Sequence, residues 1–355
     1  MSSNSSAGDE MPAPRVLVCE DSRLYAAGLV RMLERDGDVT VAAVCGTARE
    51  AIAALPHVTP DLVTMDLELP GMDGLQAVEE IMSSRPVPIL VLSAHVGAKT
   101  GKAAAALAAG ALEAISKADL DLRDPAGPAG AAFRQRVKVL SRAHVIRHLR
   151  AELKVRSGVP GGARRASVIG ICASTGGPQV LAGLLGALPA DYPIPILIVQ
   201  HIGAGFTEGL ASWLNQTARL PVAVATADMR ARPGAWIAPQ GAHLKIAATG
   251  WLSLDRRTVV GRHRPSADAL LVSIAAAAGR AGVAIVLSGM GTDGAAGAAA
   301  VAERGGLAIA QDEESSAVYG MPKAAADCGV TVVLPPDGIA SALIALTHQP
   351  FLVQR

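Results

Sequence analysis

The sequence predicts an α/β protein with two doubly wound parallel sheets, and three observations carry this. Short Val-, Ile- and Leu-rich runs alternate with amphipathic stretches in two separate blocks of the 355 residues. Those runs show little period-two alternation, as in strands buried on both faces. Charge divides the chain: residues 1–121 carry net −8, residues 122–165 net +9 and residues 166–355 net 0, the pattern of domain, connector and domain. The boundaries so drawn are 13–121, 122–165 and 166–350. Half the residues are hydrophobic (50%) and only 3% aromatic, so Ala, Val, Leu and Ile must fill the cores. The longest suspect apolar run, Ala103 to Ile115, is broken by Gly110 and is too short for a membrane span. The start, MSSNSSAGDEMPAP, lacks the basic and apolar parts of a secretory signal. Cysteines at 19, 45, 172 and 328 form no C-x-x-C pair, which fits reduced thiols and a cytoplasmic location.

In the first block RVLVCE (15–20), VTVAAVCG (39–46), DLVTMD (61–66), VPILVLSA (87–94) and ALEAISK (111–117) read as strands. Helices fall between them; in LQAVEEIMSS (75–84), Leu75, Val78, Ile81 and Met82 share one face. Right-handed crossovers gather ligands at the carboxyl ends of such strands. Glu20 and Asp21 stand at the end of the first strand, Asp66 of the third, Ser93 of the fourth and Lys117 of the fifth. Three carboxylates in one crevice call for a hard cation, most simply Mg²⁺. A hydroxyl and an ammonium beside them suit the oxygens of a phosphoryl group, which an Asp accepts as an acyl phosphate. Asp61 and Asp73 read as caps or turn residues.

Through CEDS (19–22), DLVTMDLELPGMDG (61–74), VLSA (91–94) and the Lys117 strand, residues 15–121 resemble a two-component receiver domain, a flavodoxin-like (βα)5 fold. The resemblance implies that a histidine kinase phosphorylates Asp66. It implies Mg²⁺ held by Glu20, Asp21, Asp66 and the backbone carbonyl of Glu68, with Ser93 and Lys117 on the phosphoryl group. The sequence departs from the family in its Glu-Asp acidic pair, in Ala118 where Pro is usual, and in Ala114 where an aromatic is common.

The connector has Gly/Pro-rich ends around FRQRVKVLSRAHVIRHLRAEL (133–153), read as one basic helix. Its first half suits a closing helix for the first domain and the rest a tether. Without a recognition helix, zinc spacing or interleaved aromatics, it is read as a solvated helix beside an acidic neighbour, with no nucleic-acid partner.

In the second block SVIGICA (167–173), PIPILIVQ (193–200), VAVATA (222–227), GVAIVLSG (282–289), LAIAQ (307–311) and VTVVLP (330–335) read as strands, and 236–255 as an inserted hairpin. Ser174 follows the first strand and opens STGGP, the plan of a nucleophile on a sharp turn before a helix. His201 directly follows the second, and Asp293 lies in SGMGTDG after another. A hydroxyl, an imidazole and a carboxylate at one sheet edge are the set for acyl transfer. Their order differs from the Ser…Asp…His of α/β-hydrolases. Taken singly, STGGP also suits a phosphate-cradling turn, Asp293 an N-cap and His201 a core histidine. His57, His348, His144 and His148 read as solvated, His243 as part of the hairpin, and His263 as lining the cleft or anchoring a loop.

ASTGGP (173–178), QHIGAGFTEGLASWLN (200–215), RHRPSADAL (262–270), LSGMGTDGAAG (287–297) and AQDEESSAVYGMPKAA (310–325) are similar to the catalytic domain of the chemotaxis protein-glutamate methylesterases, the CheB type. The resemblance implies a Ser174–His201–Asp293 triad with the Met290 backbone amide as oxyanion donor. It implies hydrolysis of glutamyl methyl esters and deamidation of glutamines on the cytoplasmic helices of chemoreceptors, with no cofactor for that reaction and no membrane insertion. Cys172 is expected behind the nucleophile and unreactive. The rival reading is a phosphorylation-controlled binding module with a non-catalytic second domain.

Overall fold

The computed structural model describes residues 12–94, 101–145 and 166–347. The first half runs β1 (Arg15–Cys19), α1 (Arg23–Leu33), β2 (Thr40–Cys45), α2 (Ala48–Val58), β3 (Leu62–Asp66), α3 (Gly74–Ser84), β4 (Ile89–Ser93), α4 (Gly101–Ala108), β5 (Glu113–Ser116) and α5 (Pro128–Leu140). All five strands are parallel, in the order β2-β1-β3-β4-β5. The apolar runs are strands because helices cover both faces: β3 and β4 are buried at every position. Asp73 caps α3 in a capping box with Gln76, and Asp61 accepts the Arg15 amide, as read from sequence.

The first half of the connector forms the closing helix expected of it, with a different start: the helix begins at Pro128, ahead of Phe133, and stops at Leu140. Phe133, Val137 and Leu140 are buried with Val16, Val18 and Leu29, so this stretch of 122–165 is built into the first core. The proposed continuation through Ile146, Leu149 and Leu153, with His148, lies outside the described residues, as does His348.

The second half runs β6 (Val168–Ala173), α6 (Gly177–Ala187), β7 (Ile196–Gln200), α7 (Thr207–Thr217), β8 (Val222–Val224), β9 (Ala235–Ile237), β10 (His243–Ile246), β11 (Leu252–Asp255), α8 (Ala267–Ala278), β12 (Gly282–Val286), α9 (Ala295–Glu303), β13 (Leu307–Gln311), α10 (Met321–Asp327), β14 (Val332–Leu334) and α11 (Pro336–Ala345). Seven parallel strands order as β14-β13-β12-β6-β7-β9-β8. The chain starts at the centre on β6, builds outward through β7, and returns to β6's other side through β12. The switch point therefore lies beside β6, where a ligand crevice forms.

The inserted hairpin is shorter than read. Within it β10 and β11 pair antiparallel, while β9 joins the main sheet parallel to β7 and β8. Ala235, Trp236 and Ile237 are all buried, which favours the two-sided cover of the main sheet over an exposed hairpin arm. No helix among the described residues is long and apolar enough to cross a membrane.

Candidate functional site

Ser174 leaves β6 where the chain must turn sharply into α6. Its amide donates to the Ser288 carbonyl (3.0 Å), and the Gly177 amide donates back to the Ser174 carbonyl (2.9 Å). Gly176 has φ +74°, and a Cβ there would sit 2.5 Å from the Ala317 Cβ; both facts require glycine. Gly289 is required for another reason, since its Cβ would lie 2.7 Å from the Ser174 Cβ. Its own loop, which continues through Met290, is held by Gly289 N–H to the Val318 carbonyl and by the Met321 amide to the Gly289 carbonyl.

β7 delivers His201 to the same edge. Its Nε2 lies 2.9 Å from Asp293 Oδ2, and its Nδ1 is buried without a hydrogen-bond partner among the described residues. Asp293, in the loop between β12 and α9, also accepts the Ala267 and Asp268 amides and the Ser266 hydroxyl. Burial opposes ionisation of Asp293, but its bonds to His201 and to these amides outweigh it and hold the carboxyl below the usual range. His263 stacks on His201 with ring centroids 4.2 Å apart and planes at 19°, so it lines the cleft. Desolvation by that packing and the neighbouring His201 lower its pKa. Arg264 anchors the loop on the carbonyls of Arg256 and Thr258. Cys172 is fully buried, and burial first, then Asp293 and Asp268, push its thiol well up, which leaves it inert.

Sequence reasoning missed the polar frame behind these groups. Buried Gln200 donates from Nε2 to the carbonyls of Ser174 (2.7 Å) and His201 (2.9 Å), tying two strand ends together. Buried Gln311 accepts the Ser288 amide through Oε1 (2.8 Å). The available signal was a glutamine closing an otherwise apolar strand, as in LIVQ and LAIAQ. Ser266 and Asp268 gave none beyond their place at a helix start.

In the first sheet Glu20, Asp21 and Asp66 each present an oxygen within 4.8 Å of the others. Lys117 Nζ reaches Glu20 Oε2 (2.6 Å) and Asp66 Oδ2 (2.7 Å). Burial opposes the ammonium, but these bonds outweigh it and raise the Lys117 pKa; burial raises that of Glu20. Ser93 is buried at the end of β4, and the Glu68 amide donates to Asp66 Oδ1 (3.0 Å). The donors are all hard oxygens and a lysine now offsets their charge, so the set fits a hard divalent cation.

The two sites are joined by contacts between the halves. Thr175 Oγ1 donates to Glu113 Oε2 (3.1 Å), and the Gly176 amide donates to the Leu112 carbonyl (3.1 Å). Gln179 donates to the carbonyls of Leu107 (2.9 Å) and Ala111 (2.5 Å). Phe206 is buried among residues of the first half such as Ala103 and Leu107 on α4 and Ala114 on β5. The amino end of β5 and the end of α4 before it thus rest on the turn that carries Ser174.

Two family models match the chain: CheB methylesterase over residues 169–343 and response regulator receiver domain over residues 16–122. A protein-glutamate methylesterase/protein-glutamine glutaminase of Anaeromyxobacter dehalogenans (strain 2CP-C) is 42% identical over 346 residues, 96% of this chain and 99% of its own. One of Myxococcus xanthus (strain DK1622) is 38% identical over 93% of this chain and 96% of its own. Among solved structures, the Thermotoga maritima CheB methylesterase catalytic domain is 38% identical with a TM-score of 0.49, covering 51% of this chain and 98% of that one.

Proposed function

The chain belongs to the CheB-type methylesterases, with a receiver domain ahead of the catalytic one, and from that premise we propose how its residues divide the work. Ser174 Oγ attacks the carbonyl of a γ-glutamyl methyl ester. His201 takes the hydroxyl proton at Nδ1, the nitrogen without a partner, while Nε2 stays on Asp293. The Met290 amide and the positive end of α6 stabilise the tetrahedral oxyanion. His201 returns the proton to the departing methoxide, and water cleaves the acyl-enzyme by the same steps. A glutamine amide loses ammonia in place of methanol. The observation that carries this reading is the His201–Asp293 pair with its bare second nitrogen, at the edge where Ser174 leaves β6. The relatives' hydrolase names disfavour a non-catalytic binding module.

The first domain supplies control. Glu20, Asp21 and Asp66, with the Glu68 carbonyl, would hold Mg²⁺, which would supply neutralisation of the charge that gathers on the phosphoryl group at Asp66. Ser93 and Lys117 meet the phosphoryl oxygens. The phosphodonor is a chemotaxis histidine kinase, the substrate is the cytoplasmic helices of chemoreceptors, and the setting is the cytoplasm. Glu113 and Leu112 on the nucleophile turn support a closed resting state. Phosphorylation pulls Lys117 and Ser93 toward the phosphoryl group at the end of β5 and β4 and loosens that contact. Methanol release from methylated receptor, with and without a small acyl phosphate, tests the reading. Activity that needs Ser174 and rises on phosphorylation supports it; no release by the wild type refutes it.

A further inference from the structure

Asp293 is more fully coordinated than an orienting carboxylate needs to be. Oδ2 accepts His201 Nε2 (2.9 Å) and the Ala267 amide (2.8 Å); Oδ1 accepts the Ser266 hydroxyl (2.8 Å) and the Asp268 amide (3.0 Å). These four bonds occupy the lone-pair sites of an ionised carboxylate. Three of the donors come from the start of α8, where Ser266 is the N-cap. Its Oγ also accepts the Ala269 amide (3.3 Å). That leaves its proton for Asp293, which as a carboxylate can only accept.

Ser266 is itself held from the far side. Its amide donates to His243 Nδ1 (3.1 Å), so that nitrogen is an acceptor and the ring proton is on Nε2, facing the Thr258 carbonyl (3.0 Å). His243 is fully buried on β10. A relay thus runs from the inserted hairpin through Ser266 and Asp293 to His201. Asp268 completes the frame in the opposite sense. Its Oδ1 accepts the Gly294 and Gly297 amides at the start of α9, so each helix is capped by a carboxylate from beside the other.

We propose that Ser266 is a positioning residue for ester hydrolysis, an inference that rests on the triad read above. Its hydroxyl fixes the rotation of the Asp293 carboxylate so that Oδ2 stays on His201. The hairpin, through His243, holds Ser266 in place.

The test compares full-length wild type with Ser266→Gly and Ser266→Thr, each activated with a small acyl phosphate and assayed for methanol release from methylated receptor. Glycine is an acceptable N-cap, so Ser266→Gly keeps the helix start and removes the hydroxyl. We expect kcat to fall roughly tenfold, the size of one hydrogen bond to a charged group, with KM unchanged. Ser266→Thr should restore the rate. Wild-type kcat in Ser266→Gly overturns the inference, as does a rise in KM in step with a drop in melting temperature, which marks a cap alone. Ser174→Ala is run in parallel: substantial hydrolysis by that variant overturns the triad itself, and a wild-type kcat in Ser266→Gly beside a dead Ser174→Ala overturns only the role of Ser266.

Discussion

At His201 the two ring nitrogens have different fates, one on Asp293 and one buried without a partner, and this asymmetry sets the expectations for single substitutions. His201→Ala removes the base, and a serine hydroxyl without one is a weak nucleophile at neutral pH. Labelling of Ser174 by a serine-directed phosphonate should fall with it. Asp293→Asn should fold and lose mainly kcat, read from steady-state kinetics. The same residue gives a stability signature. Its folded pKa is depressed by His201 and the α8 amides, against burial. Its contribution is therefore present above the usual carboxylate range and lost as pH falls through its lowered folded value. The difference in urea-melt stability between wild type and Asp293→Asn should shrink as pH drops from about 5 to about 3. Ser174, His201 and Asp293 were legible because each is a reactive type next to a recognisable strand. Gln200 and Ser266 were not, because their partners lie 26 and 27 residues away and only the folded sheet brings them together.

Elements were legible where burial is two-sided. The runs that became β1, β3, β4, β6, β7, β12 and β13 are largely apolar, with polar residues mainly at their ends, because helices cover both faces. β9 was hidden because three residues carry too little pattern, and Trp236 beside a turn-rich stretch resembles a hairpin arm. The closing helix was mis-started because Pro128, at its first turn, reads equally as a breaker in sequence. The loop after β12 yields a sharper test. Gly289→Ala would place a Cβ 2.7 Å from that of Ser174 and 2.5 Å from the Met321 sulfur. Met321 can give way but the Ser174 backbone cannot easily, so activity should fall at least tenfold with a small loss of melting temperature, on the order of a few degrees. In the first sheet, Mg²⁺ should raise the melting temperature of the full chain by mass action. Asp21→Asn, which removes an exposed carboxylate of the three, should weaken that shift in a thermal titration.

In the whole molecule β5 spans from the Ser174 turn, at Glu113, to the acidic crevice of the first sheet, where Lys117 follows it. Glu113 reaches the residue beside the nucleophile and is itself 3.4 Å from Arg136 Nε on α5. Glu113→Ala should raise the rate of the unphosphorylated protein severalfold, since an interface of a few kcal/mol governs the open population. Asp66→Ala should not respond to a phosphodonor, and a fragment from Arg165 to Arg355 should be fast without one. Ala114, where the family often has an aromatic, also sits in this interface: it is buried and its carbonyl lies against Gly203, where a Cβ would come within 3.3 Å. Above all of these stands the nucleophile. The most direct measurement is methanol released from methylated receptor by the phosphorylated full-length protein, wild type beside Ser174→Ala. The account predicts a loss of roughly 10³-fold or more in the variant, as triad removals give; a rate within about tenfold of wild type would contradict it.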